Sequence, residues 1–203
     1  MHTLSWTVLL LGGNSGSGKT RLARELGLQL GIPWGQLDDV RLTLQHFSSP
    51  EQAPELHYFL AGKQVWSDPP EILCEHLQKT ARIVSYASEI IVANHIATEA
   101  PLILEGDGLL PAMAAQQSFA DLDAEGRVRA LFVIEDDEQA ILSNMRERGR
   151  GIEGLTLVQQ RTQAHASQLF GEWLAGEARR YGLPVVPSRP WETLLERVME
   201  LLT

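Results

Sequence analysis

The chain has 203 residues, 44% of them hydrophobic and 21% charged, with a formal net charge of −9 at pH 7. This length suits a single well-buried domain over residues 1–203, and the acidic balance disfavours nucleic acid and anionic membranes as general partners. The chain has one cysteine, no signal-peptide pattern and no run near the roughly 18 apolar residues that span a bilayer, so we expect a cytoplasmic protein without disulfides or membrane spans.

A strand, a glycine-rich loop and a helix open the chain. Residues 4–11 end in an apolar run typical of a buried parallel strand, and leucines at positions 22, 26 and 30 predict a helix that ends at Gly31. Between them lies a complete G-x-x-x-x-G-K-[ST] motif, whose backbone N–H groups bind a polyphosphate, whose lysine reaches the β- and γ-phosphates and whose threonine binds Mg²⁺. The predicted nucleotide-binding residues are Gly13, Asn14, Ser15, Gly16, Ser17, Gly18, Lys19 and Thr20, and Lys19 is also predicted to be catalytic.

Two aspartates follow a short second strand, predicted over residues 33–37. Asp38 is predicted to accept the proton of an attacking hydroxyl, while Asp39 and Arg41 are predicted to bind the substrate. Arg41 also suits a catalytic role, because a guanidinium stabilises a transferring phosphoryl group. The alternative is that the aspartates only cap the helix that starts there, and either of the two suits the role of base.

Residues 41–97 are predicted to be a helical region that binds the acceptor. Proline at positions 69 and 70 predicts the start of a long helix, along which Leu73, Leu77, Val84 and Ile91 keep near-helical spacing. Nothing in this region identifies the acceptor.

A third strand, predicted over residues 101–105, ends in Glu105, Gly106 and Asp107. Glu105 and Asp107 are predicted to orient Mg²⁺ and to contact the substrate, because ligands gather at the carboxyl ends of parallel strands. The alternative is an ordinary polar turn.

A fourth strand, predicted over residues 130–134, is followed by a helix that Asp136 is predicted to cap. The helix ends in Arg146, Arg148 and Arg150, separated by glycines, and residues 146–155 are predicted to form a lid over the nucleotide. Arg146 and Arg150 are predicted to be catalytic and Arg148 to bind the nucleotide. A solvated basic helix end is the alternative.

The rest of the chain predicts a long helix over residues 155–181, a fifth strand over 184–187 and a closing helix over 191–202. Arg189 and Pro190 lie between the last two elements, where they are predicted to contact the nucleotide base. On the long helix, Arg161 and His165 continue an apolar face, which places them either in the cleft or where the helix leaves the core. Strands alternating with helices predict an α/β fold of the P-loop NTPase type, a five-stranded parallel sheet with helices on both faces.

At residues 12–20, 37–41, 104–107 and 146–150 the chain resembles the nucleoside-monophosphate-kinase-like group of P-loop kinases, and within it the 2-phosphoglycerate kinase-like proteins. The resemblance covers nearly the whole length. It implies ATP with Mg²⁺ and the phosphorylation of a small molecule, but it does not imply which one. The spacing of Asp38 and Arg41 also resembles polynucleotide kinases and kinase-type toxins.

We therefore expect an ATP-dependent kinase that moves the γ-phosphoryl group to a hydroxyl of a small molecule. The alternatives are a regulatory P-loop ATPase, or a kinase that acts on a nucleic acid or an antibiotic. A nucleic-acid substrate is disfavoured by the charge, because residues 51–80 carry only Lys63 and Lys79 as cations. The oligomeric state is not predicted.

Overall fold

A computed structural model describes residues 5–149 and 151–202. Five strands form one parallel sheet in the order β2-β3-β1-β6-β7, and β4 and β5 form a separate antiparallel hairpin. This arrangement confirms the predicted five-stranded parallel sheet. The strands are β1 (Val8–Gly13), β2 (Trp34–Gln36), β3 (Leu102–Gly106), β4 (Ser118–Phe119), β5 (Leu122–Asp123), β6 (Val128–Ile134) and β7 (Val185–Pro187).

Helices connect the strands and cover the sheet, and three short 3-10 turns at Tyr58–Leu60, Lys63–Ser67 and Trp191–Thr193 join them. In the described part of the chain no helix is long and apolar enough to cross a membrane. The helices are α1 (Lys19–Leu30), α2 (Leu37–His46), α3 (Pro54–His57), α4 (Pro70–Thr98), α5 (Pro111–Ala114), α6 (Glu138–Arg148), α7 (Leu157–Arg180) and α8 (Leu194–Leu202).

Both faces of the sheet are buried, as the fully apolar sequence of β1 predicts. Leu9 and Leu11 point to one face, where they pack in a cluster with side chains of α1 and α8. Val8 and Leu10 point to the other face, where α4 and α7 supply the cluster. Alternation along the strand therefore assigns each residue to one of two cores, and the carboxyl end of the sheet is left open for a site.

Several boundaries differ from the predictions. Strand β1 starts at Val8 and continues through Gly12 and Gly13, the latter being the first glycine of the motif. Position 4 of the predicted strand lies outside the described residues. Strand β2 stops at Gln36, because the buried Leu37 already begins α2. Asp137, and not Asp136, caps α6, since its carboxylate accepts hydrogen bonds from the N–H groups of residues 139 and 140.

The β4–β5 hairpin was not predicted. Its two turn residues, Ala120 and Asp121, have φ angles of 45° and 66°. Two-residue turns with positive φ normally contain Asn-Gly or Asp-Gly, so Ala-Asp gives no sequence signal for one.

Candidate active site

The phosphate loop joins β1 to α1 at the carboxyl edge of the sheet. Gly16 and Gly18 have φ angles of 82° and 79°, a left-handed conformation that favours glycine. Gly18 also leaves no room for a side chain, because a Cβ there would overlap the ring of Trp191. The first N–H groups of α1 have no carbonyl partner one turn earlier in the helix, so they are available to an anion.

Lys19 and Thr20 begin α1, and their side chains form hydrogen bonds with different partners. Lys19 is 8% exposed as a residue, and its ammonium group donates to the backbone oxygen of Asn14 at 3.1 Å. The Thr20 hydroxyl donates to Oε1 of Glu105 at 2.8 Å. Burial raises the pKa of Glu105 above its ordinary value, while Lys19 and the Thr20 hydroxyl oppose that shift. A lysine, a hydroxyl and a buried carboxylate thus lie together around the loop.

Hard oxygen ligands are what Mg²⁺ prefers, and it commonly takes one or two protein oxygens together with substrate phosphates. The Thr20 hydroxyl and the Glu105 carboxylate fit that requirement. Asp107, two residues after Glu105, lies on the wall of a cavity beside the loop. Across residues 5–149 and 151–202, no group of three or more His, Cys, Asp or Glu side chains is arranged to hold a metal ion without such a substrate.

The side chain of Asn14 anchors the phosphate loop to Glu135 and Ser167. Its side-chain amide donates to the backbone oxygens of Glu135 at 2.9 Å and Ser167 at 3.1 Å, and its oxygen accepts from the Glu135 N–H at 3.1 Å. Gly171 lies against this amide, and a Cβ there would come within 2.8 Å of it. Sequence reasoning treated Asn14 only as a loop residue, because its partners are more than 100 positions away.

Two more side chains brace the loop, and the sequence analysis named neither. Asn144 on α6 donates to the backbone oxygen of Gly16 at 2.8 Å, and Ser167 on α7 donates to that of Ser15 at 2.8 Å. Ser167 is buried on α7, three residues after Ala164 and four before Gly171, and small residues along one helix face indicate close contact with another backbone.

A cavity of about 410 Å³ opens beside the loop and is bounded by α2, α3, α4, α6 and α7. Ser15 of the loop, Asp38 and Arg41 all line this cavity. Oδ1 of Asp38 lies 3.1 Å from Nη2 of Arg41, with both side chains about one-third exposed. Asp39 is exposed and is not among the residues that line this cavity.

The structure separates the predicted lid arginines. Arg148 lines the cavity, whereas Nε of Arg146 donates to the side chain of Gln160 on α7 at 2.9 Å. Arg150 lies outside the described residues. Helix α6 ends at Gly149, whose φ angle of 74° is left-handed. Movement of this segment as a lid stays a prediction.

The loop after β7 contacts the end of β6. Arg189 and Ser188 both donate to Oε2 of Glu135, at 2.9 Å and 2.7 Å, and Glu135 is 1% exposed. Pro190 is exposed. A contact of Arg189 and Pro190 with a nucleotide base stays a prediction.

Helix α7 lines the cavity with a different face from the one that carries Arg161 and His165. Arg161 is exposed, and Nδ1 of His165 lies 3.3 Å from Oε2 of Glu138, outside the cavity lining. The residues of α7 that do line the cavity are Gln163, Ser167 and Phe170.

Comparison with known proteins gives remote relatives. A 2-phosphoglycerate kinase of Pyrococcus furiosus is 25% identical over 205 residues, a match that covers 95% of this chain and 63% of the relative. The chain therefore spans less than two thirds of that protein. No family model matches the sequence.

Solved structures show the same fold at low identity. A shikimate kinase from Acinetobacter baumannii in complex with shikimate has a TM-score of 0.54 and 12% identity, covering 97% of this chain and 93% of that one. A deoxyadenosine kinase from M. mycoides with bound dATP has a TM-score of 0.52 and 15% identity, covering 97% and 98%. The chain thus has the fold of the P-loop small-molecule kinases and a remote sequence similarity to a 2-phosphoglycerate kinase.

Proposed function

We propose that the protein is an ATP-dependent phosphotransferase that moves the γ-phosphoryl group of ATP to a hydroxyl of a small molecule in the cytoplasm. The observation that carries this proposal is that the phosphate loop and the Asp38–Arg41 pair open on one cavity. Phosphoryl transfer needs little beyond such positioning, since catalysis consists mainly of alignment and charge stabilisation.

On the nucleotide side, the backbone N–H groups of the loop and the Lys19 ammonium bind the β- and γ-phosphates. The Thr20 hydroxyl and the carboxylate of Glu105, with Asp107 nearby, hold Mg²⁺, which neutralises phosphate charge when bound. Asn14 keeps the loop in place through its hydrogen bonds to Glu135 and Ser167. Asn144 and Ser167 do so by donating to the backbone oxygens of Gly16 and Ser15 in the loop. Arg189 and Pro190 contact the base.

On the acceptor side, the Asp38 carboxylate takes the proton of the hydroxyl as its oxygen bonds to the γ-phosphorus and the bond from that phosphorus to ADP breaks. Arg41 orients Asp38 through their ion pair and, with Arg146, Arg148 and Arg150, stabilises the charge on the transferred group. The exposed Asp39 takes no part in this scheme.

The kinase names of the sequence relative and of both structural neighbours support the reaction class. They differ in acceptor, so none of them identifies the substrate of this chain. Residues 41–97 supply the second half of α2, all of α3 and most of α4, and hence much of the cavity wall.

The test is ADP release from ATP and Mg²⁺, with and without a panel of hydroxyl acceptors that includes 2-phosphoglycerate and aromatic alcohols. We expect one acceptor to raise turnover, Lys19→Ala to abolish it, and Asp38→Asn to lower it by about 10²- to 10⁴-fold, the range for losing a general base. Asp39→Asn is the matched comparison, with turnover expected within about twofold of the wild type.

Acceptor-independent ATP hydrolysis by the wild type, equal in Asp38→Asn, would contradict the transfer to an alcohol and favour a P-loop ATPase. ATP turnover that survived Lys19→Ala would contradict the placement of the nucleotide in the loop.

A further inference from the structure

We infer that the acceptor is an alcohol with a flat, apolar body and few or no negative charges, and not a phosphorylated acid. This inference rests on the proposed function, since it assigns the substrate class of the same cavity. Four features of the cavity carry it: its carbon-rich walls, its aromatic pair, its unused hydrogen-bond acceptors and its balanced charge.

Away from the phosphate loop, the cavity walls are mainly hydrocarbon. Leucines of α2, α3 and α4 line it, together with aromatic rings of the two 3-10 turns and of α7. Its volume of about 410 Å³ lies within the range of about 300–1,000 Å³ found for sites that enclose drug-sized ligands. Such walls stabilise a ligand by burying apolar surface, which a small, highly charged acid does not offer.

Two of the aromatic rings in the cavity wall stack on each other. Phe59 and Trp66 stack with their centroids 5.0 Å apart and their planes 25° from parallel, and both line the cavity. Aromatic faces favour offset stacking with other flat rings. This pair therefore selects a planar body.

The mouth of the cavity is apolar as well. Leu42 and Leu60 line the cavity and are 54% and 57% exposed. Their exposed area is removed from water when an apolar ligand fills the space between them.

Two glutamines of the cavity wall each have a side-chain oxygen that accepts no hydrogen bond from the part of the chain that the structure describes. Gln45, which is 8% exposed, donates through Nε2 to the backbone oxygen of Leu56 at 2.6 Å, and Gln163 donates through Nε2 to that of Gly151 at 3.4 Å. The Oε1 atoms of both glutamines are buried without a hydrogen-bond partner among the described residues. Unpaired acceptors of this kind fit ligand O–H or N–H groups and repel carboxylate or phosphate oxygens.

The charges of the wall balance. Among the described residues that line the cavity, the charged ones are the cations Arg41 and Arg148 and the anions Asp38 and Asp107. Arg41 is already paired with Asp38. These four side chains therefore provide no surplus of positive charge for an acceptor that carries both a carboxylate and a phosphate in addition to the γ-phosphate of ATP.

The test measures binding to the full chain by calorimetry, with Mg²⁺ and a non-hydrolysable ATP analogue filling the nucleotide site. The probe is 6-hydroxymethyl-2-naphthol, a flat ring with a hydroxyl at each end, and the comparison compound is 2-phosphoglycerate. We expect the naphthol to bind more tightly than 2-phosphoglycerate, and Trp66→Ala to weaken its binding by about tenfold, in line with the loss of one aromatic stacking partner.

Leu60→Gln provides a second variant whose folding is not at risk, because the side chain is already more than half exposed. This variant is expected to bind the naphthol severalfold more weakly than the wild type does. Phe47→Ala is the control, an aromatic residue that is 82% exposed and outside the cavity lining, and is expected to leave binding unchanged.

Tighter binding of 2-phosphoglycerate, no binding of the naphthol, or naphthol binding that neither Trp66→Ala nor Leu60→Gln weakens would each overturn the inference. Because no phosphoryl transfer takes place in this assay, its result is independent of the turnover test. Transfer to 2-phosphoglycerate would sustain the proposed function and overturn the inference. Naphthol binding without transfer to any acceptor would contradict the proposed function and leave only the ligand preference of the cavity standing.

Discussion

Asn14 and Glu135 lie 121 positions apart in the chain and exchange two hydrogen bonds, side-chain amide to backbone oxygen at 2.9 Å and backbone N–H to side-chain oxygen at 3.1 Å. Both residues are almost fully buried. The carboxylate of Glu135 in turn accepts from Ser188 and Arg189. One residue at the end of β6 therefore joins the phosphate loop to the loop after β7, the two segments that the proposed function places around ATP.

Replacing Asn14 with alanine should destabilise the protein. The change removes three hydrogen bonds and leaves the buried N–H and carbonyl of Glu135 unpaired, and each buried unpaired group costs about 1–3 kcal/mol. We expect a loss of at least about 2 kcal/mol in the free energy of unfolding, measured with urea, and weaker ATP binding. Asn94→Ala, at an exposed position of α4, should stay within about 0.5 kcal/mol of the wild type. Equal stability of the two variants would contradict the anchoring role of Asn14.

Alanine should change the stability of the protein in opposite directions at Gly171 and at Gly176, although both glycines lie in α7. At Gly171 the added Cβ would press within 2.8 Å of the Asn14 amide, whereas at Gly176 nothing lies within 4 Å. Gly176→Ala should stabilise the protein by about 0.5–1 kcal/mol through helix propensity. Gly171→Ala should destabilise it by about 1–3 kcal/mol through overpacking. Thermal unfolding of the pair measures the difference, and a stabilising Gly171→Ala would refute the close contact with Asn14.

Gly18→Ala should impair ATP binding more than backbone strain alone explains. Its φ of 79° is unfavourable for alanine, and the added Cβ would also overlap Trp191. Gly31 at the other end of α1 has a φ of 70° and open space around it, so Gly31→Ala reports the strain alone, about 1–2 kcal/mol. Titration with a fluorescent ATP analogue should show a clear loss for Gly18→Ala and little change for Gly31→Ala. Similar affinities in both would leave Trp191 without a role.

Glu105 should make stability fall as pH rises. Burial raises the pKa of its carboxyl in the folded state above the ordinary 4.5, so its contribution to stability is complete below that pH and is lost as pH rises through the raised value. Glu105→Gln, which stays neutral, should be more stable than the wild type at pH 7–8 and should unfold with a flatter pH dependence. Glu172→Gln, at an exposed position of α7, should leave the pH profile unchanged.

Glu105→Gln should also make the enzyme less sensitive to Mg²⁺. Loss of a carboxylate that holds the metal or its Thr20 partner is expected to raise the Mg²⁺ concentration for half-maximal activity by about 10- to 100-fold. A Glu105→Gln enzyme with normal Mg²⁺ dependence would assign the metal to Asp107 instead.

The fold and the conformation of the phosphate loop could be predicted from the sequence because their signals are local. Positions 16 and 18 need glycine because of their own φ angles. The burial of β1 is indicated by the run of apolar side chains within the strand. The order of strand, loop and helix follows along the chain. Even the capping of α6 was predicted to within one residue, with Asp137 in the position expected for Asp136.

The acceptor side depended on packing between distant elements. Asp38 and Asp39 are neighbours in sequence but lie about 100° apart around a helix, so only the docking of α2 onto α4 and β3 decides which of them lines the cavity. The face of α7 that carries Gln163, Ser167 and Phe170 was missed for the same reason. By itself the sequence determined the phosphate loop and the layered α/β fold, because both arise from local conformation and periodicity. The tertiary structure decided the anchoring of Asn14, the identity of the aspartate at the cavity and the apolar walls, because each depends on contacts between residues far apart in the chain.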